Sequence, residues 1–264
     1  ANNTATGASS MENNTTGQTN AAFGGGALAA NTTGTDNTAI GFGAAVANTT
    51  ASNNTAVGKW ALKTNTTGAS NTAIGFESMV ANTTGTRNVA VGMSALSANT
   101  TANNNTAIGE EALKLNTTGY SNTTVGRHTA QANTTGNLLV AMGNDALGAN
   151  TTGASNVGIG VYALTANTTA SNNTAVGYSA LASNTTGSAN NAFGGSALGN
   201  TTTGSENVGI GNNALTTNTE GNYNVAIGIA ALKVATTASS NTSIGYKSMF
   251  ANTTADSNTS IGYA

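Results

Sequence analysis

The chain contains no cysteine and no proline, a single tryptophan, a single histidine, and only 16 charged residues among 264. Each shortage excludes something. Without cysteine, no disulfide or thiolate metal site can hold the fold. Sparse charge with a net value of −2 argues against nucleic acid or an anionic membrane as a partner. No run is long and apolar enough to insert into a bilayer. The lone His128 has no second ligand in register, so neither a metal site nor a general base is built around it. Glu110 and Glu111 are adjacent and should point apart, with Glu77 two repeats away, so they do not form a glycosidase pair. The acids are too scattered for a repeated calcium site. Gly-Phe-Gly at 41–43 and Phe-Gly-Gly-Gly at 23–26 lack the strand–loop–helix setting of a phosphate loop. The chain therefore reads as non-enzymatic, without cofactor or metal.

What is present is a strict period. Glycine recurs every seventeenth residue, at Gly7, Gly24, Gly41, Gly58, Gly75, Gly92, Gly109, Gly126, Gly143, Gly160, Gly177, Gly194, Gly211, Gly228, Gly245 and Gly262, with no insertion or deletion. Asn, Thr, Ala, Gly and Ser dominate, a composition that would ordinarily suggest disorder. A disordered tract has no reason to keep register, so the phase argues for order. One array of about fifteen copies fills residues 1–264, and the chain begins without Met. It reads as a mature product or as a window on something longer.

Numbering each copy from four residues before that glycine, Asn71 to Arg87 gives a representative unit. Seventeen residues are too few for a pair of packed helices. Position four is Ile or Val in 12 of 16 copies and position two is Thr or Val in 14 of 16. These two share one face of a strand, while position three, usually Ala, faces the other way. Position nine is Leu or Met in 13 of 15 copies. The pattern predicts two short strands, at positions one to five and eight to eleven, with Ile at four and Leu at nine forming the core. A Gly-x-x turn and the Asn-Thr-Thr-Gly segment join them. Stacked in register, such units make an all-β parallel β-solenoid, or β-roll, of about fifteen coils about 4.8 Å apart. Position thirteen is Thr in all fifteen copies and position one is Asn in 15 of 16, so like side chains can hydrogen-bond from coil to coil. Columns of Ala at positions three and eight predict close lateral approach by another chain, as a homotrimer, with end-to-end filaments as the other form of self-association.

The run N-T-A-I-G-x-x-A-L-x-x-N-T-T-G, seen at Asn71 to Gly85 and Asn173 to Gly187, resembles the YadA-type head repeats of trimeric autotransporter adhesins. It also resembles related repeats of phage tail fibres and other surface fibres. That resemblance extends over essentially the whole chain. It implies a left-handed roll, trimerisation, and an extracellular adhesive or spacer role at a cell surface or on a virion fibre. The family's repeats are usually shorter, and neither its neck, its stalk nor its membrane anchor is seen in this sequence.

Function, on this reading, lies on the outer columns. All sixteen charges fall at positions six, seven, ten, fourteen, sixteen and seventeen, which marks those columns as solvent-facing. Aromatics recur beside them: Phe42, Phe76, Tyr178, Tyr246 and Tyr263 at position six, Trp60 and Tyr162 at position seven. They are candidates for an interchain interface or for contact with glycans or a host receptor. Asn-Thr-Thr is also an N-glycosylation sequon, at Asn14, Asn31, Asn48, Asn65, Asn82, Asn99, Asn116, Asn133, Asn150, Asn167, Asn184 and Asn252. A heavily glycosylated surface filament is thus one alternative, and an ice-binding solenoid using the Thr columns is another. The position-five glycines from Gly24 to Gly262 are read as structural turn residues.

Overall fold

The computed structural model describes residues 2–263. Every repeat contributes one three-residue strand, at positions two to four, and there is no helix among the described residues. The chain forms two compact units, Ala1–Thr135 and Gly136–Ala264. Unit 1 carries eight strands from β1 (Thr4–Thr6) to β8 (Thr123–Val125), and unit 2 carries eight from β9 (Val140–Met142) to β16 (Thr259–Ile261). Within each unit successive strands pair in parallel with a register of one repeat, as in Thr55↔Thr72, Ala56↔Ala73 and Val57↔Ile74. Each unit is a parallel β-solenoid with 17-residue coils, as the glycine period predicts.

The second predicted strand is absent. Positions five to twelve form three overlapping turns: Ala44 N donates to Gly41 O (3.2 Å), Val46 N to Gly43 O (3.4 Å) and Asn48 N to Ala45 O (3.1 Å). The reason is conformational. Positions seven, nine and seventeen are left-handed in the described copies, with φ of 51–70°, 45–54° and 54–63°. A left-handed residue costs a non-glycine about 1–2 kcal/mol and breaks an extended run. The turns are still bonded along the stack, because Leu62 N donates to Ser78 O (2.9 Å) and Thr64 N to Val80 O (3.2 Å).

The left-handed turn at position nine keeps Leu in the core, as expected, and displaces Ile and Val at position four from it. It directs Leu28, Leu62, Leu96 and their counterparts inward, where they are fully buried. Burying such a side chain contributes about 1.5–3 kcal/mol, enough to offset the backbone strain. Those leucines occupy the interior, so the strand opposite has room only for a methyl group. At Gly158, in position three, an added Cβ would already lie 3.3 Å from Leu147 Cγ. Position three is therefore the inward face, with Ala39, Ala56 and Ala73 fully buried, while Ile40 and Ile74 at position four are 42% and 38% exposed. Alanine at position eight is buried as well, so neither small-residue column is offered to another chain. Where a hydroxyl enters this interior it finds a carbonyl: Ser78 Oγ donates to Ala90 O (3.0 Å) and Thr129 Oγ1 to Gly126 O (2.9 Å).

Position five shows why it admits only glycine. Its φ runs from 117° to 140°, and a Cβ on Gly75 would lie 2.5 Å from the carbonyl oxygen of Gly92 in the next coil. At the opposite corner the backbone converges on position thirteen. Thr202 O accepts from Thr185 N (2.9 Å), Thr186 N (3.2 Å), Gly187 N (3.4 Å) and Thr185 Oγ1 (3.0 Å). Three of these bonds are open to any residue, and the Oγ1 bond is the one that uses the Thr side chain.

Candidate functional site

The sequon asparagines at position twelve lie inside the coil. Asn31 to Asn184 in this column are fully buried, and only Asn14 and Asn252 are half-buried. Their Nδ2, the atom that would carry an N-glycan, is already donating. Asn48 Nδ2 gives to Asn31 Oδ1 of the preceding coil (2.9 Å) and to Ala51 O (3.0 Å). The position-one asparagines form a second buried ladder. Asn54 Nδ2 donates to Gly68 O (3.0 Å), while Asn54 Oδ1 accepts from Asn71 N (2.9 Å). Buried amides of this kind are stabilising only while every member is satisfied. The geometry thus gives position twelve a structural role and leaves no room for a glycan on it in the folded chain.

The threonine columns divide. Position-thirteen hydroxyls point along the stack into backbone carbonyls, as Thr49 Oγ1 does to Thr66 O (3.1 Å). Position fourteen, such as Thr33, Thr50 and Thr67, is exposed. One outward rank results, not the paired ranks of a flat hydroxyl surface.

On the charged columns, Glu110 meets Arg127 one coil away, with Arg127 Nε 3.2 Å from Glu110 Oε2. Glu111 is the centre of a larger group. It accepts from Lys114 Nζ (2.7 Å), is hydrogen-bonded by Gln131 Nε2, and lies 3.6 Å from His128 Nε2. The hydrogen bond from Lys114 holds the Glu111 carboxyl below its ordinary value despite its partial burial. Glu77 stands apart from this group, and no set of three or more His, Asp or Glu capable of holding a metal ion is found among the described residues.

The predicted aromatics lie on the outer wall, and six of the seven pair between neighbouring coils. Phe42 is 61% exposed and Tyr178 62%. Trp60 and Phe76 have ring centroids 6.1 Å apart, Tyr162 and Tyr178 6.2 Å, and Tyr246 and Tyr263 5.3 Å in a stacked arrangement. Two features escaped the sequence reading. Lys59 and Lys63 both lie over the Trp60 ring, a placement that their one- and three-residue spacings could have suggested once the turns were known. The position-four column of Ile and Val is the outward apolar surface, with Ile40, Ile74 and Ile108 exposed. Compared with protein-family profiles, with curated proteins and with solved structures, the chain matches none of them.

Proposed function

We propose that this chain is a non-catalytic fibre module, an extracellular structural and adhesive β-solenoid that associates with copies of itself and displays variable side chains on its outer wall. The observation that carries this reading is the aliphatic column on the strand face. From Ile40, Val57 and Ile74 through Val91 and Ile108, five successive coils of unit 1 place a branched apolar side chain on the outer face of the strand, next to Thr or Val at position two. Unit 2 repeats this with Ile159, Val176, Phe193 and Ile210. An extended apolar face of this kind is retained where another surface covers it. A second copy is the natural cover, because its columns share the same spacing. Contact is thus assigned to positions two and four instead of the alanine columns, with a homotrimer as the expected state. The resemblance of the repeat to YadA-type adhesin heads and phage fibre repeats supports a place at a cell surface or on a virion fibre. The burial of the position-twelve asparagines weighs against the glycosylated-filament alternative, and the single outward Thr rank against ice binding.

Sedimentation velocity on the purified chain tests the reading. A trimer or larger species is expected, and an Ile40→Ser, Ile74→Ser, Ile108→Ser variant should shift it to monomer without changing the circular dichroism. A wild-type chain that stays monomeric at micromolar concentration would overturn self-association.

A further inference from the structure

From the side chains around Trp60 we infer that the outer wall of unit 1 carries a binding site for an acidic saccharide, a sugar ring bearing a carboxylate or sulfate. Trp60 is the only tryptophan and occupies a left-handed position, φ 61°, where most copies carry a small or polar residue. Its indole lies along the wall against Gly43 of the preceding coil, where an added Cβ would come within 3.0 Å of Cδ1. Phe76 continues the aromatic surface in the following coil, its ring tilted 35° to the indole. The strip therefore crosses coils and faces solvent, with Phe76 41% exposed.

Two cations border it. Lys59 Nζ is 4.2 Å from the Trp60 ring centroid and 6.0 Å from that of Phe76, and Lys63 Nζ is 4.8 Å from Trp60. Among the described residues neither lysine has a carboxylate within ion-pair distance, whereas Lys114 and Arg127 in the same unit do. Two like charges thus share one indole, a weak attraction to the ring offset by mutual repulsion. An anionic group bound between the ammoniums removes that repulsion, and the C–H face of a sugar ring takes the aromatic surface they vacate. Inorganic anions would leave the rings unused. A neutral sugar would leave the charges unpaired. A phosphodiester chain needs a track of cations along the stack, but Glu77 at position seven of the next coil interrupts it. The chemistry therefore selects an isolated acid on a saccharide. A smaller version recurs in unit 2, where Lys247 lies over Tyr246 (5.3 Å) and Phe250 (5.8 Å) beside stacked Tyr263.

This deepens the adhesive part of the proposed function and rests on the wall at positions six, seven and ten remaining uncovered when copies associate. Because Trp60 is the sole tryptophan, its emission reports this site alone. The test is a titration of the full chain with sialyllactose, with a sulfated disaccharide, with lactose, with sodium sulfate and with an oligothymidylate, sedimentation being measured on the same samples. A saturable emission change is expected with the two acidic saccharides, whose relative affinities tell carboxylate from sulfate preference. Lys59→Gln and Lys63→Gln should each weaken it at least about tenfold, while Lys247→Gln leaves it unchanged. An equal response to lactose, a response to sulfate alone, tighter binding of the oligothymidylate, or full binding in both lysine variants overturns the site. Silence in all titrations also overturns it, and since sedimentation is read separately, that result leaves self-association standing.

Discussion

The two units run the same seventeen-residue pattern, yet their position-twelve ladders differ. In unit 1 eight asparagines from Asn14 to Asn133 follow without a gap, and from Asn31 onward each Nδ2 donates to the Oδ1 before it, as in Asn65 to Asn48 (3.0 Å) and Asn82 to Asn65 (2.8 Å). In unit 2 the column is broken by Thr201 and Ala235. Among the described residues, the buried side-chain polar atoms without a partner are Asn184 Oδ1, Thr201 Oγ1 and Asn218 Oδ1. Asn184 and Asn218 each lie one coil before a break, where the missing Nδ2 should have come from. A ladder residue thus satisfies its neighbour as well as itself, and one substitution leaves a defect in the adjacent coil. The position-one ladder continues through the same stretch, with Asn207 N on Asn190 Oδ1 (3.0 Å) and Asn224 N on Asn207 Oδ1 (3.0 Å), so the loss is confined to one column.

The comparison can be broken most severely at a column both units keep intact. Gly92→Ala in unit 1 and Gly211→Ala in unit 2 place a Cβ within 2.5 and 2.7 Å of the next coil's backbone, at φ of 135° and 126°. Each should cost at least about 3 kcal/mol, because backbone strain adds to a clash that cannot relax. Chemical denaturation should find the two equally damaging, and a tolerated alanine in either unit would contradict the geometry. A smaller effect bears on the ladder directly. Asn82→Ala copies the unit 2 defect into unit 1 and should cost about 1–3 kcal/mol by orphaning Asn65 Oδ1. Ala235→Asn in unit 2 should be stabilising by roughly 0.5–1.5 kcal/mol as it gives Asn218 Oδ1 its donor. Amide hydrogen exchange resolved by unit should show the two changes moving in opposite directions. The smallest effect is acid sensitivity at Glu111 in unit 1. Its carboxyl is held below its ordinary value of 4.5, so its pairing contributes stability above that pH and loses it as pH falls through the lowered value. For a partly exposed pair the loss should be under about 1 kcal/mol, and Glu111→Gln should flatten that segment of the stability–pH curve.

Much of this was legible in the repeat. The glycine phase predicts one coil per seventeen residues and parallel pairing in register, and the constant Thr at thirteen predicts bonding along the stack. The predicted second strand does not form because positions seven and nine are left-handed, which the Ala-Leu pair at eight and nine does not by itself announce. A corrective signal was present. Of the β-branched residues, Val and Ile never occupy positions seven, nine or seventeen, and Thr does so only at Thr19. That exclusion is what a left-handed backbone demands. The two roles of the Asn-Thr-Thr segment cannot be told apart by its letters, which are the same whether the amide faces water or a carbonyl. The cluster around Trp60 was hidden because Phe76, at position six of the next coil, meets Trp60, at position seven, only once the coils stack.

The amino-acid order by itself determined the period, the stacking of like on like, and the columns free to vary, because a strict repeat leaves one register in which every residue meets its own kind. Only the tertiary structure decided which side of the strand is inside. A strand offers two faces with equal ease, and the choice falls to the wall opposite: once left-handed turns drive leucine into a narrow coil, a methyl group is all that fits across from it, and the larger Ile and Val are left on the surface.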